Sequence, residues 1–164
     1  MESEKERQEY AQWILERNLH WISAAEVKAG AVVAIDTAML GALAAAFSVI
    51  PSANRTGVTN LSSLVAAACL LIALFCVAMS VLPRTDGPTS SFVFFGKIVK
   101  HTAADYADTF RRATTGAFLD NCLDQVYRNA QIACAKFGWV RYAMMWSFGA
   151  VLPWVAALAC LMKA

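Results

Sequence analysis

The sequence predicts an all-α integral membrane protein, with three transmembrane helices whose cytoplasmic helical extensions form a small cytoplasmic layer. Three observations predict it. Residues 29–50, 61–82 and 142–162 form apolar runs of about 20 residues, enough to cross a hydrocarbon core at roughly 1.5 Å of rise each. None of the runs carries the polar face that a helix on a soluble domain needs. The remaining charges are distributed unevenly around them. With 164 residues, 59% of them apolar, and a positive mean hydropathy, the chain holds one membrane unit and little else.

Residues 1–28 are charged, contain no Gly or Pro, and crowd acidic side chains into the first turns, as a helix N-terminus favours. Tyr10, Trp13, Ile14, Arg17, Trp21 and Ile22 recur at three- and four-residue spacing. This is one amphipathic helix that runs straight into the first span. Trp13 and Trp21 either rest at headgroup level or pack on other cytoplasmic helices. So long a charged segment ahead of so long an apolar run does not read as a cleaved signal peptide.

The first span, 29–50, carries Ala34, Ala38, Ala42 and Ala46 at successive i+4 positions. Small residues let membrane helices approach closely, so Ala38 and Ala42 are expected to pack within a bundle or an oligomer. Asp36 lies in the same span. A carboxyl group there is costly and is expected to face a polar interior, the alternative being a boundary residue solvated from the cytoplasmic side.

The loop 51–60 (PSANRTGVTN) is turn-rich, and Thr59 or Asn60 is expected to cap the second span, 61–82. Pro83 ends that span, and RTDGPTSS reads as an irregular connector opening the cytoplasmic region 83–141. Ser91–Val99 (SFVFFGKIV) is apolar but too short to span, so it must be covered by protein or lie on the membrane surface. Thr102 and Asp105 form a capping-box pattern ahead of a helix bearing Tyr106 and Phe110, broken by Thr114, Thr115 and Gly116. From Ala117, Leu119, Cys122, Leu123, Val126, Ala130, Ala133 and Phe137 form one apolar stripe, with Asp124 and Arg128 paired at i+4 on the polar face. No Pro separates this helix from the third span. The two are expected to form a rod of roughly 45 residues, on the order of 70 Å, with Pro153 kinking rather than ending it. Stripes that such rods cannot bury alone imply a homo-oligomer.

Lys5, Arg7, Arg17 and Lys28 precede the first span, and Arg84, Lys97, Lys100, Arg111, Arg112, Arg128, Lys136 and Arg141 lie between the second and third. Only Arg55 lies between the first and second, and only Lys163 follows the third. The positive-inside rule then places the N-terminus and 83–141 in the cytoplasm, and the loop 51–60 and the C-terminus outside.

A net charge of +2 is too small to argue for a nucleic acid polymer as partner. There is no P-loop, GxSxG or HExxH, and His20 and His101 stand far apart. Cys69, Cys76 and Cys160 fall within spans, while Cys122 and Cys134 fall on the reducing side without ligand spacing. Neither an enzyme nor a metal site is expected. Three spans offer no inverted repeat, which disfavours a secondary transporter. The basic residues of 83–141 either hold topology against anionic membrane lipids or line a site for an anionic ligand, with Phe94, Phe95 and Tyr106 available for stacking.

Several motifs together resemble the Pycsar effector transmembrane family. In NLHWISAAEVKAG, Trp21, Ile22, Ala25, Glu26, Lys28 and Ala29 fill the pattern at the entry to that family's first span, with Glu26 where Asp is more frequent. Phe94–Ile98 (FFGKI) resembles its Phe-Phe-Gly segment, and Leu123, Gln125 and Lys136 resemble its Gln…Lys stretch before the last span. The resemblance covers nearly the whole chain and implies a bacterial antiphage effector. Such an effector senses cyclic CMP or cyclic UMP made by a pyrimidine cyclase, then impairs the inner membrane in abortive infection. On this basis Lys28, Lys97 and Lys136 are expected to bind the messenger, and Arg128 is added from position alone. Gln125 is expected to bind ligand or join helices. The alternatives are an effector gated by a cyclic oligonucleotide and a non-catalytic scaffold subunit.

Overall fold

The structure is a computed structural model that describes residues 3–51, 54–84, 87–88 and 91–163. Parts of the loop 51–60 and of the RTDGPTSS connector therefore lie outside the described residues. The elements are α1 (Glu4–Val49), α2 (Gly57–Val81), α3 (Phe95–Ile98), α4 (Ala103–Arg112) and α5 (Thr115–Leu161), with no strand among the described residues. Helices α1, α2 and α5 are each long and apolar enough to cross a membrane. The all-α, three-span architecture is thus the one the sequence predicts. Both α1 and α5 are unbroken, at 46 and 47 residues, and Pro153 sits inside α5.

Local chemistry sets the helix ends. Ahead of α1, the Ser3 amide donates to the Glu6 carboxylate at 2.8 Å and the Glu6 amide to the Ser3 hydroxyl at 3.3 Å, a reciprocal capping box. Helix α2 starts earlier than expected, and Thr56 caps it in place of Thr59 or Asn60. Its extended backbone (φ −79°, ψ 162°) lets its hydroxyl accept from the Thr59 amide at 3.2 Å. Thr59 is drawn into the first turn by a 2.8 Å bond between the two hydroxyls. Ahead of α4, the Thr102 hydroxyl accepts from the Asp105 amide at 3.2 Å and donates to its carboxylate at 2.7 Å.

The chain divides into two compact units. The spanning unit comprises 25–82 and 136–164, the extension unit 1–24 and 83–135.

In the spanning unit the buried positions alternate by three and four. They include Ala25, Ala29, Val32 and Asp36 on α1, Ser63, Ala66, Leu70, Ala73 and Val77 on α2, and Lys136, Val140 and Ala143 on α5, with Ala150 a further heptad on. This 3.5-residue period keeps one face of each helix in register with left-handed bundle packing. Large side chains turn outward instead: Leu64, Phe75, Phe148 and Leu152 are 61–81% exposed. Small residues inside and large apolar ones outside is the pattern of helices packed in lipid. Ala34, Ala38 and Ala42 are exposed and lie outside this packing within the single chain. A row of i+4 steps turns about 40° around the helix at each step, whereas alternating steps of four and three stay on one face.

In the extension unit the packed face of α5 keeps much of the expected stripe, with Leu119, Cys122 and Val126 half-buried, and adds polar residues beside it. Asn121, Gln125 and Ala133 are buried, while Leu123 is 47% exposed. The reason is the group that docks there: the buried Ser91 hydroxyl meets the side chains of Asn121 and Gln125. Trp13 and Trp21 remain 58% and 49% exposed, with the Arg17 guanidinium 5.6 Å from the Trp13 ring centre.

Candidate functional site

Ser91 is the node of the extension unit. Its hydroxyl accepts from the amides of Val93 (3.2 Å) and Phe94 (2.9 Å) and from the Gln125 side-chain amide (2.9 Å). It also donates to Asn121 Oδ1 at 3.3 Å. Gln125 thus ties the segment at Ser91 to α5. Asn18 on α1 is tied to α5 by a 2.9 Å bond from its amide to the Val126 carbonyl. Arg84 reaches the Ile132 carbonyl at 3.2 Å.

The ring of Phe94 explains the glycines beside it. A Cβ on Gly87 would run into that ring, and one on Gly96 would come within 2.7 Å of it. Phe94 is clamped there, its ring tilted 47° to that of Phe95 with centroids 4.7 Å apart.

A different pair of rings is accessible. Tyr106 and Phe110 lie one turn apart on α4, with centroids 6.1 Å apart. With Ala107 and Arg111 they line an open cavity of about 310 Å³. The Tyr106 hydroxyl donates to the Phe92 carbonyl at 2.8 Å, and Phe110 packs edge-on against Phe118 at 5.0 Å, so both rings are held in place. Arg112 pairs with Asp108 at 2.8 Å, whereas Arg111 has no carboxylate partner among the described residues. The cavity thus offers two ring surfaces and one unneutralised guanidinium.

The four cations expected to bind ligand fall in both units. In the extension unit, Lys97 is in the last turn of α3, half-buried and without an ion pair among the described residues. Arg128 there donates to Gln131 at 3.1 Å. In the spanning unit, Lys28 is exposed, with its ammonium 5.1 Å from the Phe137 ring centre. Lys136 is buried and its ammonium meets Glu26 at 2.9 Å, so its charge is already neutralised. None of the four lines the α4 cavity.

Asp36 is fully buried in the spanning unit. The Ser147 hydroxyl donates to its Oδ2 at 2.9 Å, and Trp154 Nε1 donates to the Met39 carbonyl at 2.9 Å one turn on. Sequence reasoning had no signal for Ser147 or for the Glu26–Lys136 pair, because both contacts join residues more than a hundred positions apart. Arg111 and Phe110 were visible in sequence but stood among many similar residues. Among the described residues no group of three or more His, Cys, Asp or Glu side chains is placed to hold a metal.

Three bilayer-length helices joined to a small polar-cored helical unit define a polytopic membrane protein. The chain belongs to the Pycsar effector family: the profile of the Pycsar effector protein domain matches residues 10–163, which marks it as a Pycsar antiphage effector. No curated protein and no solved structure matches the chain.

Proposed function

We propose that this effector senses a cyclic pyrimidine mononucleotide, cyclic CMP or cyclic UMP, and answers by impairing the bacterial inner membrane in abortive infection. The observation that carries the reading is the α4 cavity. Its volume of about 310 Å³ suits a single mononucleotide, Tyr106 and Phe110 supply faces for a base, and Arg111 supplies charge for one phosphate. Lys97 and Arg128 are further candidate cations of the same unit. Lys28 is a weaker candidate, and Lys136 serves mainly to hold Glu26. The messenger comes from a partner pyrimidine cyclase, and the effector acts without catalysis, as a homo-oligomer in membrane lipid. The N-terminus is cytoplasmic and the C-terminus periplasmic.

Transmission to the membrane follows from helix continuity. Ser91 fastens the α3 segment to Gln125, and Gln125 sits on the same unbroken α5 that carries the third span. A ligand that prefers one placement of α4 and α3 biases α5, and only that difference in affinity does work. The test is calorimetry on detergent-purified protein with cyclic CMP, cyclic UMP and cyclic AMP, with light scattering on the same samples. Saturable binding of one pyrimidine messenger with a change in particle size, lost in Arg111→Ala, supports the reading. Binding unchanged in Arg111→Ala but lost in Lys97→Ala moves the site to α3. No binding of any messenger returns the function to a scaffold or to an oligonucleotide-gated effector.

A further inference from the structure

Helices α1 and α2 leave a groove in the spanning unit at the end where they join, with a volume of about 640 Å³. Along α1 it runs from Leu40 to Ser48 and along α2 from Asn60 to Ala67, and Arg55 closes its end. Eight residues of helix rise about 12 Å, most of one leaflet of a hydrocarbon core about 30 Å thick. The chain itself sets the depth of the groove in the bilayer. The apolar part of α1 ends at Val49 and α2 starts at Gly57, so the short turn carrying Arg55 stands at a membrane face.

Two polar groups in this groove are incompletely satisfied. Arg55 is fixed in place: Nε donates to the Ile50 carbonyl, Nη2 to those of Phe47 and Ile50, and the guanidinium lies 4.0 Å from the Phe47 ring centre. Nη1 takes no part in these bonds, and residues 37–85 contain no Asp or Glu to neutralise the charge. Ser63 is 8% exposed, and its hydroxyl has no hydrogen-bond partner among the described residues. A helical serine can donate to the carbonyl four residues back, but here the Thr59 carbonyl takes the Ser62 hydroxyl, at 3.2 Å.

We propose that the groove holds one anionic phospholipid of the leaflet that Arg55 faces. Its phosphate sits on the Nη1 edge of Arg55, an ester carbonyl accepts from Ser63, and an acyl chain lies along Leu40, Leu43 and Leu64. A guanidinium already immobilised on two carbonyls and a ring loses little freedom on binding, which favours a charge-assisted bond to phosphate. Charge complementarity selects lipid over a second copy of the chain. Residues 37–85 and 125–164 contain no Asp or Glu, so no copy brings a carboxylate side chain to this membrane face. A two-fold contact through the groove sets one Arg55 against another, and such like-charge contacts are costly.

The test is native mass spectrometry of the full-length protein in detergent, titrated with phosphatidylglycerol or with phosphatidylcholine. The expected result is one phosphatidylglycerol per chain, held more tightly than phosphatidylcholine. Arg55→Gln should lower its affinity roughly fivefold, the effect of one cation at an anionic headgroup. Ser63→Ala should lower it several-fold, as the loss of one hydrogen bond does. Since Arg55 also caps α1, Ala44→Phe serves as an independent variant: it starts from an exposed position, fills the groove, leaves Arg55 intact, and should abolish the tight site. Arg141→Gln, which removes an exposed cation elsewhere in the spanning unit, should change nothing. Equal binding of the two lipids, an equal loss in Arg141→Gln, or no retained lipid overturns the proposal. Lipid-free oligomers that fall to monomers in Ala44→Phe overturn it too, and assign the groove to a second copy.

Discussion

The hydroxyl of Ser147 on α5 donates to Oδ2 of Asp36 on α1 at 2.9 Å, and Oδ1 of the same carboxyl has no hydrogen-bond partner among the described residues. Asp36 is completely buried, so Ser147 is the one group that satisfies it among the described residues. An interhelical hydrogen bond in a membrane averages only about 0.6 kcal/mol. Leaving a buried polar group unmade costs more, about 1–3 kcal/mol, and this second effect decides the outcome.

Ser147→Ala is therefore expected to destabilise the detergent-solubilised protein by about 1–3 kcal/mol. Asp36→Leu combined with Ser147→Ala should recover much of the loss, since both polar partners are then gone. Thermal unfolding followed by circular dichroism measures both. An Ser147→Ala protein that melts like the wild type would show that Asp36 draws nothing from this bond.

Lys136 and Glu26 form a second link between α5 and α1, and it is asymmetric. The Lys136 side chain is 8% exposed while that of Glu26 is 54% exposed. Glu26→Ala strands a buried ammonium, whereas Lys136→Met removes the charge and leaves Glu26 in solvent. The first should cost close to the lower end of the ~3–5 kcal/mol seen when one partner of a buried pair is removed, the second much less. The double variant should resemble Lys136→Met alone. If Glu26→Ala and Lys136→Met were equally destabilised, desolvation of Lys136 would not be the controlling term.

The legibility of this chain divides along the same line between local and distant chemistry. The three spans were readable because a bilayer imposes length and composition on each helix separately. The Thr102–Asp105 cap was readable for the same reason: it is complete within four residues. The packing faces were less so. Within the single chain the face that packs runs through Ala25, Ala29, Val32 and Asp36, and the i+4 alanine row of the first span turns away from it. The stripe on α5 was legible except for the polar residues beside it, because Ser91 makes Asn121 and Gln125 inward as well. Arg55, read as a lone outer charge, donates to the carbonyls of Phe47 and Ile50 at 2.8 and 2.6 Å and lies 4.0 Å above the Phe47 ring. It satisfies the end of α1, where a cation is favoured by the helix dipole. Of the candidate site, the rings and cations were visible as residue types. Which of them share a cavity depended on the turn of α4 against Phe92 and Phe118.

Gly96 gives a prediction that tests the clamp on Phe94. A methyl group there would sit 2.7 Å from the Phe94 ring, and the ring has Gly87 on another side. The ring cannot yield toward Gly87, so the α3 turn must shift. Gly96→Ala is expected to cost about 1–3 kcal/mol, the usual penalty for overpacking. Phe94→Ala destabilises by itself, yet adding Gly96→Ala to it should cost nothing further. Hydrogen exchange at Val93–Lys97 reports the same event, with faster exchange in Gly96→Ala. Additive losses in the double variant would place the strain elsewhere.

Cys122 and Cys134 lie three turns apart on α5 within the extension unit but differ in environment. Burial pushes the Cys122 thiol above its ordinary range, whereas Cys134 is exposed. The thiolate is the reactive species, so a raised thiol is slow as well as shielded. At neutral pH, maleimide should label Cys134 first, with Cys122 lagging by more than the single-step difference in exposure. Raising the pH should close the gap as Cys122 ionises. The sign for stability follows: the folded state holds the Cys122 proton more tightly than the unfolded state does. Its contribution is therefore complete below the ordinary thiol range and is lost as pH rises through the higher folded value. Mass spectrometry of the tryptic peptides after timed labelling at several pH values measures both rates. Equal labelling of the two cysteines across the pH series would show that the Asn121–Gln125 face of α5 opens to solvent far more readily than its packing implies.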